Sequence, residues 1–205
     1  DRVVRASQAI TLSPNRAVVH HIPREFIVDG VGDILDPLGL NGSRLEVTSF
    51  VIDAFVPHVK DLMRVIELNG GEVRELVLGP MVSSRSALSK RQKELGTVLV
   101  DIGAGTTGMA VYEENKLLGV AVFPVGAGSI TSDIAVGLKI PVDTAEQIKL
   151  HYGYAVAKDI GPRESIEMKK FLPEGRGLVA RRFLAEVIEA RLAEVFEFVN
   201  NELKL

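Results

Sequence analysis

The sequence predicts an α/β fold from three observations. Val98-Leu99-Val100 is a β-branched and aliphatic run ending in Asp101, and a second run, Met109-Ala110-Val111-Tyr112, follows a Gly/Thr turn. Further strand-like runs recur at 16–23, 45–54, 73–78 and 116–124. Apolar residues at helical spacing mark 56–68 and 178–203. Strands interleaved with helices point to a mixed α/β architecture.

Taken in order, 16–23 reads as a strand around Val18 and Val19, and 26–28 continues extended. Residues 30–42, rich in Gly, Pro and Asp, read as a connection. The alternation over 45–54 is imperfect, which implies partial burial of both strand faces. Val56, Val59, Leu62, Met63 and Ile66 share one face of a helix over 56–68, which Asn69-Gly70-Gly71 ends. A strand at 73–78 and a short helix at 82–88 follow. Charge makes 89–94 a solvated loop.

After the Gly/Thr hairpin, which starts at Gly96, comes a strand at 116–124, paired as a meander, and a helix at 130–138. Asp143 reads as the N-cap of the next helix, with Glu146 three residues on in a capping-box arrangement. Residues 158–177 lack a clean period, and 164–170 reads as one exposed strand. The last helix, 178–203, carries the stripe Phe183, Val187, Leu192, Val195 and Val199, widened by Leu184, Ile188 and Phe196.

Length allows one or two domains with a real core. The net charge of −3 gives no basic nucleic-acid footprint. The absence of cysteine excludes disulfide staples and thiolate metal sites. No leader peptide is evident, and no apolar run approaches the roughly 20 residues of a membrane-spanning helix. The chain starts without Met and stops at Leu205 inside a helical pattern, so a fragment of a longer protein is expected.

The Gly/Thr turn carries the chemistry. Gly103 and Gly105 permit positive φ and close approach of a ligand to the backbone. Successive free N–H groups in such a turn form an anion-binding concavity, and Thr106 and Thr107 add hydroxyls at its rim. Asp101, at the strand end, is placed to orient a metal-bound water, or to bond nearby backbone as a turn Asp. This is not a Walker loop, which needs Gly-Lys-Ser/Thr opening a helix. Nor is it a dinucleotide fingerprint, because a strand follows the glycines. A Gly-rich hairpin without a ligand stays open as an alternative.

Gly126 and Gly128 open a helix or merely punctuate a turn. Glu146 and Lys149 share a helix face, an exposed ion pair unless a ligand joins them. The four His residues form no metal set: His20 and His21 point to opposite strand faces, and His58 and His151 stand alone. No nucleophile–base pair stands at a motif.

Asp101-Ile102-Gly103-Ala104-Gly105-Thr106-Thr107 resembles the second phosphate loop of the actin-like ATPase superfamily. The stretch Pro124-Val125-Gly126-Ala127-Gly128-Ser129-Ile130-Thr131-Ser132-Asp133-Ile134-Ala135 resembles the FtsA family of bacterial cell-division actin homologues. So do Ala145-Glu146-Gln147-Ile148-Lys149 with Gly153, and upstream Pro23-Arg24-Glu25-Phe26 and Asp36-Pro37-Leu38-Gly39-Leu40. The likeness runs in order over nearly the whole chain.

The resemblance implies a partial actin-like ATPase (ribonuclease H-like) fold with the FtsA-type inserted α+β subdomain at 1–70. It makes 71–95 the return segment of the first lobe, 96–140 the second-lobe core with its phosphate loop, and 141–205 the start of that lobe's outer subdomain. It implies ATP bound by Gly103, Ala104, Gly105, Thr106, Thr107, Gly126, Ala127, Gly128, Glu146 and Lys149, with Mg held through water by Asp101. Many superfamily members carry Asp where this chain has Gly108, so the resemblance supports binding before hydrolysis and leaves enzymatic turnover open.

By the same resemblance the intact protein polymerises into protofilaments and holds the C-terminal tail of FtsZ at the inner face of the cell membrane at the division site. Other division proteins would meet the inserted subdomain, the membrane would be met through a C-terminal anchor outside this sequence, and no nucleic acid is involved. A pilus-assembly adaptor of PilM type, or an active ATPase or kinase of the same fold, remains an alternative.

Overall fold

The computed structural model describes residues 2–172 and 177–204. The chain divides into two units, 1–82 and 83–205.

In the first unit, helix α1 (Arg2–Ser7) precedes a three-stranded antiparallel sheet of order β2-β1-β3, with β1 Arg16–Val28, β2 Val31–Ile34 and β3 Leu45–Phe55. The two predicted pieces at 16–23 and 26–28 form one strand. Pro23 is accommodated in it, opposite Ser49, next to a register shift that absorbs an extra residue before Glu25. Strand β2 was expected to be part of a connection. Asp29 and Gly30, at φ of 49° and 87°, turn the chain back on itself within two residues, and residues 31–34 then pair with β1. The Asp29 carboxylate accepts from the Ser43 hydroxyl at 2.8 Å and the Arg44 N–H at 2.7 Å, and so anchors the far end of the following loop. Those bonds, the hydroxyl first, hold its carboxyl below the usual carboxylate range.

Helix α2 (Val56–Leu68) follows β3 directly and has the predicted apolar face, yet none of its residues is buried. Val56, Val59 and Met63 line a cavity of about 470 Å³ with Ala17, Val18 and Val73. The expected strand at 73–78 is not one: 71–78 forms neither helix nor ladder among the described residues. β-propensity needs a neighbouring edge to act on. The segment is tied by its Leu78 N–H, which donates to His20 Nε2 at 3.1 Å. His21, on the opposite strand face, meets Ser7 of α1 through Nε2 at 3.0 Å.

Helix α3 (Gly79–Ala87) begins three residues earlier than expected. The second unit then contains α4 (Lys90–Leu95) and the meander β4 (Thr97–Ile102), β5 (Thr107–Glu113) and β6 (Lys116–Phe123). The 89–94 stretch is exposed as expected but helical, because Ser89 and Gln92 close a capping box. Next come α5 (Ala127–Leu138), α6 (Val142–Tyr152), the two-stranded pair β7 (Ser165–Glu167) and β8 (Leu178–Ala180), and α7 (Arg181–Glu202).

The unit's main core joins these helices to the small sheet: Ile130, Ile134, Ala145, Ile148, Ile166, Leu184 and Ile188. Arg191 ties α7 to α5 through both oxygens of Asp133, at 2.6 and 2.9 Å. Farther along α7, Phe198 stacks on Phe123 of β6 with centroids 5.7 Å apart.

Three further expectations are corrected in this unit. The exposed strand over 164–170 is three residues long, and its Ile166 is fully buried. The last helix starts at Arg181, because 178–180 pairs with β7; residues 173–176 of the irregular 158–177 stretch lie outside the described residues. Its buried stripe is Leu184, Ala185, Ile188, Val195 and Val199, with Phe183 and Phe196 turned outward.

Two positions on α6 test this packing. Ile148→Ala, in the core, is expected to lower the unfolding free energy by about 2–5 kcal/mol. Leu150→Ala, two residues on and 72% exposed, is expected to change it by less than about 0.5 kcal/mol. Urea unfolding of the two variants checks both.

Candidate functional site

The β4–β5 ladder pairs Asp101 with Gly108 and Ile102 with Thr107, which leaves 103–106 as the connecting loop. The Gly103 N–H donates to Thr106 O at 2.9 Å and closes it. Neither Gly103 nor Gly105 takes positive φ, contrary to the expectation. The turn closes without positive φ at either glycine, and the space around each decides what glycine does there. A Cβ at Gly103 would lie 3.1 Å from Thr106 O, whereas one at Gly105 would meet nothing within 4 Å. The protein's own packing therefore does not require glycine at 105.

The loop's carbonyls are held from behind by α5. Gly103 O accepts from the Ala127 N–H at 2.8 Å, and Ala104 O from the Gly128 N–H at 2.7 Å. This contact explains two further glycines. A Cβ at Gly126 would sit 2.5 Å from Gly103 O, and one at Gly128 would sit 2.9 Å from Ala104 O. Two of the first N–H donors of α5 thus hold the loop. With its carbonyls so engaged, the loop keeps the N–H groups of Ala104, Gly105 and Thr106 without a partner among the described residues, and these three residues are exposed.

Thr107 departs from the reading that put its hydroxyl at the rim. It is fully buried, and its Oγ1 donates to Val125 O at 2.7 Å, bracing β5 against the entry to α5. Thr106 is exposed at the loop. Asp101 is half-buried and accepts from the Ser83 hydroxyl at 2.6 Å. Nothing in the sequence marks Ser83, which sits in a helix 18 residues upstream. Among the described residues no group of three or more His, Asp or Glu could hold a metal ion.

Glu146 does not close a capping box. Pro141 takes the N-cap position of α6, so Asp143 falls inside the first turn and Glu146 beyond it. The Glu146 carboxylate turns to α5 instead. Its Oε2 accepts from Lys149 Nζ at 2.7 Å and from the Thr131 hydroxyl. Lys149 also donates to Thr131 Oγ1 at 2.8 Å and to Ala127 O at 3.3 Å. The pair is therefore fastened to the turn of α5 that holds the loop. The Lys149 side chain is only 16% exposed, so this is not a solvated surface pair. Lys149, then Thr131, keep the Glu146 carboxyl below its ordinary pKa, against the effect of burial. Thr131 is buried and was missed as a site residue, because its partner lies 15 residues away on another helix.

Residues 98–203, just over half the chain and including the loop, Asp101, Thr131, Glu146 and Lys149, match the family model "Cell division protein FtsA". The chain belongs to the FtsA family.

Residues 1–52 match the SHS2 domain inserted in FtsA. FtsA of Pseudomonas aeruginosa is 34% identical over the whole chain and 49% of its own length; FtsA of Bacillus subtilis is 34% identical over 99% and 46%. The chain thus spans about half the length of the curated relatives it matches. A PilM–PilN type IV pilus biogenesis complex aligns over 98% of the chain at TM-score 0.62 and 17% identity. MreB5 of Spiroplasma citri bound to ADP aligns over 71% at 0.56 and 18%. These show the architecture: part of the actin-like fold with an SHS2 insert. No described helix is long and apolar enough to cross a membrane.

Gly126→Ala is expected to destabilise the second unit by on the order of 1–3 kcal/mol, because backbone must move. Gly105→Ala is expected to stay within about 0.5 kcal/mol. Chemical denaturation of both checks the division of roles. The sign of the pH effect at Glu146 follows from its lowered pKa. Its contribution is present above the ordinary value of 4.5 and lost as pH falls through the folded value. Unfolding titrations from pH 7 to pH 3 are expected to show a shallower acid limb in Glu146→Gln.

Proposed function

We propose that the intact protein binds ATP at this site and acts as an actin-like cell-division adaptor. The observation that carries the reading is the exposed loop at 104–106. Three successive N–H groups lack a partner there among the described residues, and Gly105 faces open space that the fold itself does not need. Such a donor set suits phosphate oxygens. Gly103, by admitting the close turn, and Gly126, Ala127 and Gly128, by holding the loop from behind, serve the same site. Asp101 would orient Mg through water, since Mg keeps most of its hydration and needs few protein ligands. Glu146 and Lys149 would take the sugar and base side. MreB5, which shares the fold, has been captured with ADP and with AMPPNP.

In this reading 1–70 is the inserted subdomain, 71–95 the return of the first lobe, 96–140 the second-lobe core and 141–205 the beginning of its outer subdomain. Nucleotide shifts the population of assembling states rather than serving a metabolic turnover. The protein polymerises, the outer subdomain supplies part of the site for the FtsZ tail, and the inserted subdomain meets other division proteins. Attachment to the inner face of the membrane at the division site belongs to a C-terminal segment outside these 205 residues.

Calorimetric titration of the whole gene product tests both halves. MgATP is expected to bind saturably, and Gly105→Val to weaken it about tenfold, on the scale of one lost hydrogen bond, without loss of fold. An FtsZ C-terminal tail peptide is expected to bind and its scrambled version not to. Binding of ATP without the tail peptide would favour a pilus adaptor or an enzyme of this fold, which a phosphate-release assay separates.

A further inference from the structure

We propose that Thr131 is a positioning residue that turns the Glu146 carboxylate toward the two hydroxyls of a bound ribose. The inference rests on the nucleotide reading above and names what gives that site its preference for a ribonucleotide.

The argument begins with the two oxygens of Glu146. Oε2 receives both internal donors, the Thr131 hydroxyl and the Lys149 ammonium. Oε1 has no partner among the described residues, and the side chain is 43% exposed. A carboxylate is planar, so holding one oxygen from two directions sets where the other one points. Lys149 alone would not do this, because an ammonium on a four-carbon stem is a point charge with rotatable donors.

Thr131 supplies the direction. It is 3% exposed, and as a β-branched residue within α5 it has few rotamers. Its Oγ1 lies 3.2 Å from Ala127 O, one turn back, and accepts from Lys149 at 2.8 Å. The hydroxyl has one proton, and the carboxylate is the stronger acceptor for it. The order is therefore Lys149 to Thr131 to Glu146, with Oε1 left as a fixed acceptor. A ribose offers two adjacent hydroxyl donors, which suit such an oxygen; the phosphate end of a nucleotide offers none. Because Ala127 also donates its N–H to Gly103 O, this acceptor is referenced to the phosphate loop through one helical turn.

The test compares ATP with 2′-deoxy-ATP and 3′-deoxy-ATP by calorimetry on the whole gene product, with circular dichroism to verify folding. Wild type is expected to prefer ATP about tenfold, the scale of one hydrogen bond to a charged group. Thr131→Val keeps the shape and removes the hydroxyl. It is expected to bring the ratio close to one, mainly by weakening ATP, while Thr131→Ser keeps the preference. Should the valine variant not fold, Thr131→Ala is expected to give the same collapse.

Equal weakening of all three nucleotides by Thr131→Val, or an unchanged ratio, would overturn the positioning role. So would a wild type with no ribose preference, although it would leave ATP binding intact. A wild type that binds none of the three would overturn the nucleotide reading itself, and this inference with it.

Discussion

The second unit depends on the first turn of α5 lying against the carbonyls of the 103–106 loop. Two backbone hydrogen bonds, from Ala127 and Gly128, fix that contact. It closes a path from the β4–β5 hairpin through α5 to the core, because Ile130 and Ile134 of the same helix pack with Ile148 and Leu184. Moving the loop would mean moving a helix seated in the core. A short exposed turn thereby gains the rigidity of the elements behind it, although it has little packing of its own.

The glycines of the site have three different physical reasons. Gly126 and Gly128 let two backbones come within hydrogen-bonding distance, where a Cβ would overlap a carbonyl oxygen. Gly103 relieves a tight approach within its own loop. Gly105 has no such neighbour, and its φ is not positive. Conformational freedom, the usual account of glycine in a turn, applies to none of these. It applies instead to Gly30, where positive φ permits the two-residue reversal into β2.

Much of the second unit was legible because its signals are local. The aliphatic runs of β4, β5 and β6 and the start of α5 follow from the residues that form them. The first unit was harder to read at 31–34 and 71–78, where pairing depends on which edge is available rather than on propensity. The loop residues 103–106 could be found from their composition alone. Thr131 and Ser83 could not, since a hydroxyl reveals its role only once a distant carboxylate has been brought to it by packing. Glu146 shows the opposite hazard: a local capping rule explained its spacing, yet its side chain answers to another helix.

The Glu146–Lys149 pairing has a consequence for charge balance. The Lys149 ammonium beside the first turn of α5 is already paired with the Glu146 carboxylate, and Asp101, near the loop, has no cationic partner among the described residues. The loop itself, 103–106, carries no cationic side chain, so what it would offer an anion is neutral N–H dipoles. A triphosphate seated on such dipoles would still need a countercharge, and a divalent ion carried with it is one source. Occupancy would then follow the product of nucleotide and divalent-ion concentrations rather than nucleotide alone.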